Sequence, residues 1–290
     1  MALKKAIETG PASKQRAHIT SRFTRESLID KDVIDSTDIP KQYRVMPDLN
    51  VIAIGGKSIL DRGAAAILPL AEELIANRFK YQLLLCTGPG ICGRQTLCLA
   101  GDLGLPTGGQ AMLTGGDESK YLFMLCGVLL ANGGVWMSKL VHFERLPLYV
   151  KNHMIPFTLG QAPYFFWEKP PKYGSIPEHG NDFGSYITGE VLGVRSVIYL
   201  KDVDGLYTKD PKRHADAKFI KKISAQKLME LDLDELVLER SAIENLARGR
   251  AVRKIQIING LKPGNLSRAL AGEHVGTIIY RDMGRERDDK

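Results

Sequence analysis

NVIAIGGKSILDRGAAAILPLAEELIANRFKYQLLLCTGPG, residues 50–90, holds the pattern that decides the fold. A short apolar run, Val51 to Ile54, ends in the glycine pair Gly55-Gly56. Ala66, Leu70 and Leu74 then recur at helical spacing, with Ile67 and Ala71 beside them. A second apolar run, Tyr81 to Cys86, stops at Gly88 and leads into the helical stretch ICGRQTLCLAGDLGL. Strand, glycine turn and helix, repeated, is the order expected of a parallel α/β sheet. Ligands of such sheets bind outside the carboxyl ends of the strands, where helix N-termini offer unpaired N–H groups to anions.

The same alternation runs on from there. A helix is expected over Glu118–Ala131 and a strand over Ile155–Leu159, followed by the proline- and aromatic-rich loop QAPYFFWEKPPKYGSIPEHG. Helical DFGSYITGEVLG leads into the strand SVIYL, and helices over SAQKLMEL and SAIENLARGR follow. The strand RKIQIING, the helix GNLSRALAG and the strand GTIIYRD complete the series. No repeat or low-complexity tract interrupts it. Residues 1–47 are polar with little periodicity and read as an arm, lying on a neighbour or partly disordered. The α/β domain is expected over 48–282 and a frayed tail over 283–290.

At 290 residues and 32.1 kDa the chain can bury a proper core. No apolar run approaches the roughly 20 residues of a membrane span. The N-terminal lysines are not followed by a signal-peptide-length apolar segment, so a cytoplasmic protein is expected. Cys86, Cys92, Cys98 and Cys126 form no CxxC pair and read as buried free thiols. Net charge is +7, and the basic excess is local. Residues 201–227 carry eight Lys/Arg against four Asp/Glu, and residues 248–290 carry ten against five. No helix shows a basic stripe interleaved with aromatics, so a small anion is the expected partner rather than nucleic acid.

Three glycine turns and one loop carry the chemistry. The turns are Gly55-Gly56-Lys57-Ser58, Gly88-Pro89-Gly90 and Asn259-Gly260 with Lys262-Pro263-Gly264. None is a Walker A loop or a GxGxxG motif. The loop KDVDGLYTKDP, residues 201–211, packs acid, base, glycine and an aromatic where a strand ends.

Taken together, IGGKSILDRG (54–63), TGPG (87–90), DLGLP (102–106), KDVDGLYTKDP and INGLKPGNLSRALAGEHVGTII (258–279) resemble the amino-acid-kinase superfamily. Within it the likeness is to the uridylate kinases and, most of all, to the molybdenum storage proteins, and it covers about Val45 to Ile279. The resemblance implies a three-layer α/β sandwich with a largely parallel central sheet, binding ATP and Mg²⁺. Its nucleotide site would draw on Gly55, Gly56, Lys57, Ser58, Gly88, Gly90, Lys201, Asp202, Asp204, Gly205, Tyr207, Lys209, Asp210 and Pro211. In that loop Lys201 and Lys209 provide charge for phosphates and Gly205 a tight turn. Tyr207 provides an aromatic wall, while Asp204 and Asp210 accept ribose hydroxyls or hold Mg²⁺ through water.

The chain also departs from the kinase pattern. Uridylate kinases place a lysine two residues before the glycine pair, on the transferring phosphoryl; here that residue is Ala53. Of the two basic positions that follow TGxG in the storage proteins, one is Cys92 and only Arg94 remains basic. The acceptor-site acid falls near Asp117, with Ser119 or Lys120 at the spacing the flanks require. Asp182 keeps the position of the family aspartate and is the one catalytic candidate. Arg94, His179, Asn181 and Asp182 are the expected oxoanion or acceptor residues, with His179 the candidate metal ligand. Phe165, Phe166 and Trp167 read as core or subunit interface. The implied function is an ATP-binding store for molybdate or tungstate (a polyoxometalate), built as a hexameric cage from this chain or with a paralogous subunit. A UMP kinase and a catalytically inactive scaffold subunit are the alternatives.

Overall fold

A computed structural model describes residues 43–139, 141–161 and 180–282, together with the backbone of three short strands nearer the N-terminus. The chain divides into two units, Met1–Tyr43 and Arg44–Lys290. In the first unit, β1 (Ile7–Thr9), β2 (Arg16–Ile19) and β3 (Ile29–Asp30) form an antiparallel sheet in sequential order. The remainder of residues 1–42, the tail 283–290, and His179, Phe165, Phe166 and Trp167 lie outside the described residues.

The second unit is built on an eight-stranded sheet. Its strands are β4 (Leu49–Ile54), β5 (Gln82–Thr87), β6 (Gly134–Trp136), β7 (Ile155–Leu159), β8 (Ser196–Lys201), β11 (Lys222–Ser224), β12 (Lys254–Asn259) and β13 (Thr277–Tyr280). The spatial order is β11-β13-β12-β8-β4-β5-β7-β6. β12, β8, β4, β5, β7 and β6 run parallel, whereas β13 pairs antiparallel with β12 and carries β11 with it. The sheet is therefore largely parallel, as the sequence predicts. A separate ribbon pairs β9 (Leu206–Tyr207) with β10 (Phe219–Ile220), turning the loop after β8 into a hairpin.

Helices cover both faces, which is why the central strands are apolar throughout rather than alternating. On one face Val51, Ala53, Leu84, Cys86, Val197, Tyr199 and Ile257 pack against α5 (Asn181–Leu192), α6 (Ala225–Glu230) and α7 (Arg240–Leu246). On the other, Ile52, Ile54, Leu83, Leu85, Phe157, Ile198 and Ile258 pack against α1 (Ala64–Asn77), α3 (Thr107–Leu129) and α8 (Asn265–Leu270). Two further helices complete the set, α2 (Gly90–Asp102) and the short α4 (Leu146–Lys151).

Two sequence expectations are corrected. The helix expected at Glu118–Ala131 begins at Thr107, because TGGQAMLTGG holds a helix despite its glycines. In it Ala111, Thr114, Gly115 and Glu118 lie on the buried side, so packing overrides weak intrinsic propensity. Cys92 and Cys98 are exposed on α2 rather than buried, and all four thiols are free. Phe157 is wholly buried on β7, paired on both sides by β5 and β6, and Phe157→Ala should cost about 3–5 kcal/mol in urea denaturation.

Candidate functional site

The carboxyl ends of β4, β5 and β8 surround a cleft of about 810 Å³. Two glycine turns make its floor. A Cβ on Gly56 would lie 2.2 Å from the Gly90 nitrogen, so the turns after β4 and β5 touch backbone to backbone. Asp61, just beyond the first turn, reaches across to α2, where its carboxylate accepts the Ile91 N–H at 2.9 Å and the Tyr121 hydroxyl. The N-terminus of α2 thus carries a carboxylate from the chain itself. Burial, followed by its bond to Asp61, pushes the Tyr121 phenol up.

A second helix end behaves alike. Glu239, just before α7, accepts N–H groups of Gly180 (3.1 Å), Asp182 (3.3 Å) and Phe183 (3.1 Å) at the start of α5. Burial first, and then the charge of Asp182, raise the Glu239 carboxyl. Asp182 in turn holds Lys201, whose Nζ lies 2.9 Å from both carboxylate oxygens in a mostly buried pair. Tyr199, wholly buried beneath, donates its hydroxyl to the Asp182 carbonyl at 2.8 Å.

The outer wall is the hairpin. Gly205 (φ 148°) has no room for a side chain, since a Cβ there would sit 2.4 Å from Thr277 Oγ1. Tyr207 packs edge-on against Phe219, ring centroids 5.3 Å apart. Asp202 pairs with Arg62 at 2.7 Å and with Lys212, and these two lowering bonds outweigh its burial. Lys209 pairs with Asp216 at 2.7 Å, and Arg213 approaches Asp210 and Glu235. Arg62, Lys212, Arg213, Glu235 and Glu239 were not legible as site residues. They come from loops whose proximity is tertiary, although the basic excess after β8 is visible in the sequence.

Of the residues expected from the sequence, Gly55, Gly56, Lys57, Ser58, Gly88, Gly90, Arg94, Asn181, Asp182, Lys201, Asp202, Gly205, Tyr207, Lys209, Asp210 and Pro211 all line the cleft. Asp204 does not. It turns to the end of β12, where Lys262 lies at 2.6 Å and the Asn259 amide donates at 3.0 Å; these contacts hold its carboxyl low. These contacts tie the hairpin to the end of β12. Asp117 is also absent from the lining and is held low by Lys120 at 2.7 Å and by Thr96. Ala53 does line the cleft, its methyl the only side-chain carbon at that strand position.

Several buried polar residues escaped sequence reasoning. Glu118 is wholly buried, and its carboxylate faces the Gln161 backbone N–H without a hydrogen bond of good geometry. Burial raises its carboxyl well above the ordinary value, with Lys139 acting the other way. Loss of hydration likewise lowers the Lys139 ammonium. The Thr87 and Thr158 hydroxyls are buried and unpartnered too. Among the described residues, no cluster of three His, Cys, Asp or Glu side chains is arranged to hold a metal ion.

Residues 144–259 match the model of the amino acid kinase family. The chain is 38% identical over 263 residues to molybdenum storage protein subunit beta of Azotobacter vinelandii, covering 91% of this chain and 97% of that one. It is 30% identical over 250 residues to the uridylate kinase of Staphylothermus marinus, covering 81% of this chain and all of that one. The crystal structure of uridylate kinase from Archaeoglobus fulgidus superposes with a TM-score of 0.62 at 22% identity, over 79% of this chain and 99% of that one; at that identity the likeness speaks to the fold.

A carboxyl whose pKa is higher folded than unfolded binds its proton more tightly in the fold, so stability falls as pH rises above the ordinary value of 4.5. Glu118→Gln removes that penalty. The variant should match wild type in urea denaturation at pH 5 and exceed it at pH 8.5 by about 1–3 kcal/mol.

Proposed function

The chain belongs to the amino acid kinase family, as a relative of molybdenum storage protein subunit beta, and from that premise we propose that it is an ATP-binding subunit of a molybdate or tungstate store. The observation that carries this reading is Ala53. The cleft keeps a basic hairpin for phosphates but has no cation at the strand position from which a kinase steadies the phosphoryl in flight. The relation to a storage subunit over nearly the whole chain points the same way.

In this reading the nucleotide lies along the hairpin. Lys209, Lys212 and Arg213 meet its phosphates, and the glycine turns at Gly55-Gly56 and Gly88-Gly90 let backbone N–H groups approach them. All these residues line the cleft. Each of these three cations is already paired with a carboxylate, so binding is an exchange of one anion for another. Mg²⁺ is bound by few protein carboxylates and by the phosphates it accompanies. Asp182 is the carboxylate assigned to it, after release of Lys201 to the nucleotide. Asp61 and Glu239, seated on the N-termini of α2 and α5, keep those helix ends from gripping an acceptor phosphate. ATP binding or hydrolysis then gates oxoanion entry rather than driving transfer to a nucleotide.

Storage also needs enclosure, because screened surface charges release small anions at physiological salt. The assembly proposed is a hexameric cage, of this chain or with a paralogous subunit. Leu97, Leu99 and Leu103 at α2, with Phe123, Met124 and Val128 on α3, are exposed, and an apolar surface of that kind suits burial between subunits. The second reading is a UMP kinase, favoured by the full-length match to a uridylate kinase.

Elemental analysis of the full chain, expressed with and without added molybdate, should show molybdenum rising with supply. UMP-dependent ADP release should stay below the roughly 1–100 per second of ordinary kinases; a turnover inside that range with no bound metal establishes the kinase instead. Metal-free, inactive protein that still assembles marks a scaffold. Calorimetry of Lys209→Ala should show ATP binding weakened about tenfold, whereas unchanged affinity would move the nucleotide off the hairpin.

A further inference from the structure

The stretch IGGKSILDRG leaves β4 through the first glycine turn and ends in a single helical turn, Leu60–Arg62. Arg62 Nε donates to the Ser58 carbonyl at 2.8 Å, which lays the guanidinium against that glycine turn. Its Nη2 reaches Asp202 Oδ2, 140 residues on, at 2.7 Å. Lys212, from the hairpin, donates to the same Oδ2 atom. Among the described residues Arg62 Nη1 meets no acceptor, so the guanidinium has N–H groups that these two bonds leave over.

Two cations, one from the glycine turn and one from the hairpin, therefore converge on one oxygen. Each lies a hydrogen-bond length from it, so the two nitrogens are within about 6 Å of each other. All three residues line the cleft. Like charges that close need an anionic oxygen between them, and Asp202 provides it. A phosphate oxygen accepts charge-assisted bonds from Arg and Lys over the same distances. Asp202 is mostly buried, whereas Arg62 and Lys212 are about half exposed, so an anion can approach both cations from solvent. Pairs of that exposure are weak, and the carboxylate is displaced at little cost.

We propose that Arg62 and Lys212 form the seat of the nucleotide's terminal phosphate, for which the Asp202 carboxylate stands in until the nucleotide arrives. The inference rests on the nucleotide reading of the hairpin and adds Arg62, a residue that reading does not use. A nucleotide laid along the hairpin points its phosphates at the glycine turns, and the phosphate farthest along is the one that reaches Arg62. The triphosphate of ATP spans from hairpin to turn and takes both cations. ADP, one phosphate shorter, leaves Arg62 on Asp202. Arg62 is thus the residue that tells a nucleoside triphosphate from a diphosphate. Ala53 leaves the strand itself without a cation at the cleft, so the charge on that phosphate comes from the turn and the hairpin.

The test is calorimetry of the full chain with ATP and, separately, with ADP, both without magnesium so that no metal bridges to a carboxylate. Wild type should bind ATP about tenfold more tightly than ADP. Arg62→Ala should bring the two affinities within about twofold by weakening ATP alone. Asp202→Asn keeps the size of the side chain and removes its charge, which leaves both cations uncompensated. ATP should then bind about threefold more tightly or better, whereas an Asp202 that held the nucleotide, or merely braced the hairpin, would lose affinity on the same change. Should Arg62→Ala not fold, the nearly isosteric Asp202→Asn decides, because its expected gain is opposite in sign to damage. If wild type binds ATP but Arg62→Ala leaves the ATP-to-ADP ratio unchanged, or Asp202→Asn weakens ATP, the seat is overturned and the nucleotide reading stands. A wild-type chain that binds neither nucleotide overturns both.

Discussion

The backbone contact between Gly56 and Gly90 governs the site. Side chains on either turn would push β4 and β5 apart at their carboxyl ends, because a Cβ on Gly56 meets the Gly90 nitrogen, its Cα and the Gly88 carbonyl. With the turns in contact, Asp61 can reach Ile91 and fix the start of α2, and the floor of the cleft becomes continuous. The parallel register of β8, β4 and β5 then sets Tyr199, Ala53 and Cys86 in one row, with Lys201 two residues beyond Tyr199 at the end of β8. Cleft, floor and buried polar layer all follow from two turns that tolerate no side chain where they touch.

Charge in the cleft is organised as internal exchange. Lys201 rests on Asp182, Lys209 on Asp216, and Lys212 and Arg62 on Asp202. The helix ends that suit an anion carry Asp61 and Glu239. Several of these pairs are solvent-exposed and worth little individually, so an entering polyanion displaces weak partners and keeps the cations. The Thr87 and Thr158 hydroxyls differ, being buried without a hydrogen-bond partner to displace.

Much of the fold was legible because the β4–α1–β5 stretch repeats a pattern with few physical solutions. Apolar runs of strand length ending in glycine, alternating with helical periodicity, suit a parallel sheet covered on both faces. What escaped has local causes. The helix at Thr107 was hidden by its glycines, and the ribbon of β9 and β10 is too short to show a period. The antiparallel turn of β13 leaves no mark in its own sequence.

The sequence by itself determined the α/β class, the glycine turns, the basic loop after β8 and the alanine in place of a kinase lysine, since each is written in contiguous residues. Only the tertiary structure decided that Asp204 faces Lys262 and not the cleft, and that Asp61 and Glu239 cap helices distant from them in the chain. Only it brought Glu118, from the middle of a glycine-rich helix, near Lys139 beyond an edge strand. Those outcomes depend on burial and on distances between segments far apart in sequence. A carboxylate or an ammonium acquires its chemistry from what folds around it, and no stretch of the chain states that locally.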